Sequence, residues 1–117
     1  MESPADGLYR IIEALADVQR TRARDYTSFS VHGTRFGYHW PRTQTVGLKQ
    51  TLSEQRALVA ERPDVFEVQF TTGAFGWVVV KLDSIEPDEL TELVYEAWRL
   101  SAPEDLTEKH PLPRIEV

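Results

Sequence analysis

The chain has 117 residues and no cysteine, so it can form one domain with its own core, while disulfides, thiolate metal sites and cysteine catalysis are excluded. The formal net charge of −6 argues against a strongly basic nucleic-acid-binding protein, although residues 1–50 carry seven Lys/Arg against five Asp/Glu. The N-terminus lacks a signal-peptide pattern and no stretch is long enough to cross a bilayer, so we expect a cytoplasmic location and no membrane partner.

A helix is predicted at the N-terminus. Ser3 is a good N-cap, Pro4 suits the first helical position, and Asp6 lies where a capping carboxylate belongs. An apolar stripe follows, and it fades in the arginine-rich segment, so the helix is predicted to end near Thr21. The stripe consists of Leu8, Ile11, Ile12, Leu15 and Val18.

Alternating apolar and polar residues then predict three strands, over residues 27–32, 35–40 and 45–49. Gly33 allows a tight reversal between the first two, and Pro41-Arg42-Thr43 forms the next turn. The alternation predicts an antiparallel meander with one apolar face, which carries Phe29, Phe36, Tyr38, Trp40 and Val46.

The second half predicts a helix, two strands and a further helix. A capping box of Thr51 and Glu54 begins the helix that ends at Arg62-Pro63. Strands are predicted over residues 66–71 and 77–82, with Phe66, Phe70 and Val80 facing the core. The last helix begins at Pro87, and its stripe is predicted to cover the apolar sheet face. The stripe consists of Leu90, Leu93, Val94, Ala97 and Trp98.

The predicted order is therefore α-β-β-β-α-β-β-α. This order indicates an α+β fold in which an antiparallel five-stranded sheet packs its helices on one face. Residues 1–102 are predicted to form a single domain, and residues 103–117 an extended C-terminal tail interrupted by prolines.

No catalytic motif is recognisable. The histidines His32, His39 and His110 lack the spacing of a metal site, and the carboxylates of the last helix fit its solvent face and its N-terminal turn. The glycines Gly73 and Gly76 bracket a hairpin tip and do not form a phosphate-binding loop. We therefore expect no enzyme activity, no metal and no cofactor.

Strand parity places a mixed set of residues on the sheet face that points away from the helices. An aromatic side chain among basic residues could stack on a nucleic-acid base or anchor a protein partner, or it could simply pack under the tail or in a homodimer contact. The set comprises Arg35, His39, Lys49, Gln69, Trp77, Val79 and Lys81.

Short motifs occur at residues 31–36, 46–49, 62–65 and 76–80 and in the last helix. In the order and spacing of these motifs, residues 29–98 resemble the MmcQ/YjbR family. It implies a fold related to CyaY and to type III secretion chaperones, and a "double-wing" DNA-binding role in which two hairpins act as wings. At residues 73–76, where the family usually carries basic residues, this chain has none.

Two hypotheses follow, both for a binding module. The first is a DNA-binding module of the MmcQ/YjbR type, and the second is a protein- or peptide-binding, chaperone-like module or homodimer that uses the open sheet face. The DNA-binding candidates are Arg20, Arg22, Arg24, Arg35, His39, Arg42, Lys49 and Lys81, and the partner-binding candidates are Phe75, Trp77 and Val79.

Overall fold

The computed structural model of the chain describes residues 3–111. Its first helix, α1, spans Pro4–Ala14 and begins with the capping box predicted at Ser3. The prediction that this helix reaches Thr21 is wrong. Asp17 adopts a left-handed φ of 58°, and Val18–Arg22 form strand β1 instead. The helical spacing of the apolar residues continued to Val18 and concealed the strand, in which Val18 is the only apolar residue and the other four residues are exposed.

Within residues 3–111, the sheet has six strands, one more than predicted, because β1 pairs with the edge of the predicted meander. All neighbouring strands are antiparallel, and their spatial order is β1-β2-β3-β4-β6-β5. The other strands are β2 (Thr27–Val31), β3 (Thr34–Trp40), β4 (Thr45–Thr51), β5 (Phe66–Thr72) and β6 (Phe75–Lys81).

The meander is followed by the helices α2 (Leu52–Glu61), α3 (Pro87–Arg99) and α4 (Glu104–Lys109), and by a 3-10 turn over Leu82–Ser84. The prediction of an extended tail after residue 102 is wrong for α4, whose Leu106 packs against the core. The rest of that predicted tail, beyond residue 111, lies outside the described residues.

The core lies between the sheet and α1, α2 and α3. The predicted stripe of α3 is confirmed, since Leu90, Leu93, Val94, Ala97 and Trp98 are all buried in one cluster with residues of β2, β3, β4 and β6. The Trp98 side chain is fully buried, and its indole Nε1–H donates to the Ala16 carbonyl at 3.0 Å. This bond satisfies the polar atom of the largest core residue and ties α3 to the end of α1.

Two β-bulges change which side chains face the helices. Phe29 pairs with Gly37 and Ser30 pairs with Arg35, so one residue of β3 is extra. In β5, Val68 pairs with Val78 and Phe70 pairs with Trp77, which leaves Gln69 extra. An extra residue in a strand moves each side chain beyond it to the opposite face of the sheet.

The prediction that Tyr38, Trp40 and Phe70 face the helices is therefore wrong. These aromatic rings lie on the open face. In exchange, the side chain of His39 turns inward, where it contacts Tyr9 of α1. Of the predicted core-facing strand residues, Phe29, Phe36, Val46, Phe66 and Val80 are buried as expected.

Candidate nucleic-acid interface

A row of aromatic rings crosses the open face of the sheet. Phe70 stacks on Trp77 with ring centroids 5.1 Å apart, and Trp77 contacts Tyr38 at 5.6 Å. Tyr38 in turn stacks on Trp40 at 5.8 Å and meets Tyr26 edge-on at 5.6 Å. The row therefore connects edge strand β5 with the turn between β1 and β2.

The predicted partner-binding residues are less accessible than their positions on the open face of the sheet suggested. Trp77 is only 5% exposed because Phe70, itself 37% exposed, covers it. Phe75 and Val79 are half-buried, and the Phe75 ring lies under the Lys49 ammonium. Among the rings of this row, Phe70 on edge strand β5 is thus more accessible than Trp77, on which it stacks.

At one end of the sheet, the turn between β1 and β2 and the turn between β3 and β4 enclose a pocket of about 440 Å³. We call it the arginine pocket, because Arg22, Arg24 and Arg42 line it together with Tyr26 and Trp40. Its remaining lining residues are Ala23, Asp25, Thr27, Pro41 and Thr43.

The three arginines of this pocket are exposed. Within residues 3–111, none of them makes an ion pair or a side-chain hydrogen bond. One carboxylate, that of Asp25, lies among them, so the pocket carries a local positive excess in a protein of net charge −6. Guanidinium groups bind phosphate and carboxylate oxygens through paired N–H donors. The pocket is therefore suited to an anionic ligand.

The main chain fixes both turns. In the first turn, the Ala23 N–H donates to the Tyr26 carbonyl at 2.8 Å. In the second, the Gln44 N–H donates to the Pro41 carbonyl at 3.3 Å, and Gln44 adopts a left-handed φ of 53°. Because strand pairing anchors both turns, Arg24 and Arg42 project from defined positions.

Arg20 and Arg35 lie apart from this pocket. Arg20 is on the helix side, 5.6 Å from the ring of Tyr9 and 3.5 Å from the carboxylate of Glu13. Arg35 lies at the opposite end of the sheet, where its Nη1 donates to the Tyr38 hydroxyl at 3.4 Å. That hydrogen bond is the main cause of a raised Arg35 pKa.

Lys81 and Lys49 also occupy different surroundings. Lys81 is half-buried and pairs with Thr45 at the same sheet end as the arginine pocket, although it does not line the pocket. Lys49 is 8% exposed, and its Nζ donates to the Ser101 hydroxyl at 3.2 Å. Burial lowers the Lys49 pKa, and the buried ammonium is out of reach of a surface phosphate.

The histidines are separated from one another. His39 is buried, with its Nδ1 2.8 Å from the Tyr9 hydroxyl, and burial lowers its pKa. Its inward position removes it from the predicted DNA-contacting set. His32, in the β2–β3 turn, contacts the Asp17 carboxylate at 2.9 Å. Within residues 3–111, no three His, Asp or Glu side chains are grouped closely enough to hold a metal ion.

A second, larger groove of about 610 Å³ lies between α1 and α3, on the helix side of the molecule. Ile11, Leu15, Ile85, Leu90 and Tyr95 contribute to its lining, and it contains none of the predicted binding residues. Across the described residues, no helix is both long enough and apolar enough to traverse a bilayer.

A family model described as YjbR matches residues 13–100. The chain belongs to the YjbR family. The crystal structure of Deinococcus radiodurans protein DR2400, which carries the family-model domain DUF419, is similar to this YjbR chain with a TM-score of 0.76. The likeness covers 97% of this chain and 94% of that chain at 17% sequence identity, which shows a shared fold alone. A search of the curated proteins found no match.

The open-face aromatics Tyr26, Tyr38, Trp40 and Phe70 of this YjbR domain were absent from the predicted site. Gly37 offered one indication, because a glycine inside a strand often marks a bulge. A Cβ at Gly37 would lie 3.3 Å from Leu48 and from Phe29, so this position also favours a residue without a side chain. Gln69 carries no comparable indication.

Proposed function

We propose that this YjbR-family chain is a non-enzymatic nucleic-acid-binding module that holds DNA phosphates at the arginine pocket. The observation that carries the proposal is that three exposed arginines without a side-chain partner among the described residues, Arg22, Arg24 and Arg42, line one pocket. Phosphate contacts supply most of the affinity in non-specific DNA binding, and arginine is the side chain best matched to them.

The proposed surface differs from the wings that the family resemblance implies. The hairpin tips at His32-Gly33 and Gly73-Ala74 both lie at the sheet end opposite the arginine pocket. Neither tip carries Lys or Arg, and His32 is paired with Asp17. Phosphate binding is therefore better supported at the two arginine-bearing turns.

The net charge of −6 opposes a polyanion outside the pocket. We therefore expect weak binding, with a Kd no tighter than about 1 μM at physiological salt, as is typical of non-specific DNA binding. The affinity should depend steeply on salt, since each phosphate contact releases condensed counterions.

A pair of matched double variants tests the proposal. Arg24→Gln with Arg42→Gln removes two charges from the pocket, and Arg56→Gln with Lys109→Gln removes two exposed charges elsewhere. Fluorescence anisotropy with a labelled DNA should show weaker binding and a salt slope reduced by about one unit per lost contact for the pocket variant only. Equal binding by both double variants would reject the arginine pocket as the DNA site.

Edge strand β5 supports a second candidate, a protein-binding role through a second copy of the chain. Val68 and Phe70, both on β5, are 55% and 37% exposed, and Glu67 is the only charged residue of the strand. An exposed, weakly charged edge strand can pair with another strand. Sedimentation equilibrium should then show a dimer that Phe70→Asp dissociates, and a monomer at all concentrations would remove this candidate.

A further inference from the structure

We infer that the arginine pocket binds an unpaired nucleotide, whose phosphate is held by the arginines and whose base stacks against Tyr26 or Trp40. This inference rests on the proposed function and specifies which form of nucleic acid it applies to. It predicts a preference for single-stranded DNA, or for an unpaired base within a longer molecule, over a continuous duplex.

The first argument is that the pocket combines two kinds of group. Tyr26 and Trp40 line it together with Arg22, Arg24 and Arg42. Anion binding alone would not require aromatic rings beside the guanidinium groups, whereas proteins that bind single strands combine positive charge with aromatic side chains on which bases stack. The volume of about 440 Å³ is within the range of small-molecule sites.

The second argument is that neighbouring rings hold both aromatic side chains in place. Trp40 stacks on Tyr38 with an interplanar angle of 19°, and Tyr26 meets the same ring edge-on at 73°. Both are half-buried, so each keeps some surface in the pocket while it is fixed from behind. Rings fixed in this way lose little conformational entropy when a ligand binds.

The third argument concerns what a duplex can offer. Paired bases stack on one another and present only their edges in the grooves. An aromatic ring recessed in a pocket therefore has no base face to contact in a continuous duplex. An unpaired base has a free face, and every base type has one, so we expect little sequence preference.

Three labelled probes of equal length test the inference with the full chain: a single-stranded oligonucleotide, its duplex, and an abasic strand that keeps the phosphates but lacks the bases. We expect the single strand to bind more tightly than either of the others by about five- to 150-fold, the range of one base–aromatic stack. Equally tight binding of the abasic strand would show a phosphate site only and overturn the inference.

A conservative pair of variants separates stacking from structure. Tyr26→Phe keeps the ring and should bind the single strand as the unchanged chain does, whereas Tyr26→Leu should lose most of the preference over the abasic strand. Circular dichroism checks the fold of both, and the probe comparison on the unchanged chain decides the matter if Tyr26→Leu does not fold. If no probe binds, the proposed function fails; if the duplex binds as tightly as the single strand, only this inference fails.

Discussion

At the scale of single residues, His39 is a buried titratable group with incomplete hydrogen bonding. Its Nδ1 contacts the Tyr9 hydroxyl at 2.8 Å, while its Nε2 is buried without a partner among the described residues. The bulge in β3 places it there, because the original alternation would have left it on the open face. Burial disfavours the charged imidazolium, and the His39 pKa is lowered for this reason.

The lowered pKa of His39 predicts a loss of stability in acid. The unfolded chain takes up the proton near pH 6.5, its ordinary value, whereas the folded chain resists it until a lower pH. The contribution of the neutral His39 side chain to stability is therefore complete above pH 6.5. It is lost as the pH falls through the lowered pKa of His39 in the folded chain.

Urea unfolding at pH 8 and at pH 5 checks this effect. The unchanged chain should lose more stability between these two pH values than His39→Gln does, because only the unchanged chain carries the imidazole whose pKa burial lowers. Identical pH dependence of the two proteins would show that His39 does not titrate differently on folding.

At the scale of secondary-structure elements, the elements whose apolar spacing was unambiguous were predicted correctly, and the local irregularities were not. The spacing of Leu90, Leu93, Val94, Ala97 and Trp98 fits only a helix, and all five are buried as predicted. By contrast, the helical spacing of apolar residues runs past the end of α1 to Val18, so the pattern did not indicate that β1 begins there. The two bulges depend on strand pairing, which a single sequence does not display.

The α3 stripe leads to a stability prediction. Trp98→Ala should reduce the free energy of unfolding by about 3–5 kcal/mol, because it removes a fully buried indole and leaves a cavity. It also leaves the Ala16 carbonyl without its Nε1–H donor. Glu92→Ala, an exposed position on the same helix, is the control and should change stability by less than about 0.5 kcal/mol. Chemical denaturation measures both, and equal values would mean that this stripe does not carry the core.

At the scale of the whole molecule, the sequence identified all three arginines of the arginine pocket but not their grouping. Arg22, Arg24 and Arg42 come from two turns that meet only when β1, β2 and β3 pair. Because β1 had been predicted as helix, strand parity could not show that Arg20 points toward α1. The burial of Lys49 depends on contacts with Ser101 and Phe75, far from it in sequence.

This grouping sets the expected salt dependence of DNA binding for the whole protein. If the three pocket arginines make the phosphate contacts, the log–log slope of affinity against salt should be about −2 for a single strand, from about 0.7 per contact. Arg42→Gln should bring the slope closer to zero by one such contact. Lys49→Met should leave the slope unchanged, because the buried Nζ donates a hydrogen bond to Ser101 and lies 4.1 Å from the centroid of the Phe75 ring.

Anisotropy titrations across a salt series give the slopes of the unchanged chain and of both variants. A slope much steeper than about −2 would show phosphate contacts in addition to those of the three arginines, and a slope reduced by Lys49→Met would place a contact at Lys49. Either result would contradict the arginine pocket as the site of all the phosphate contacts.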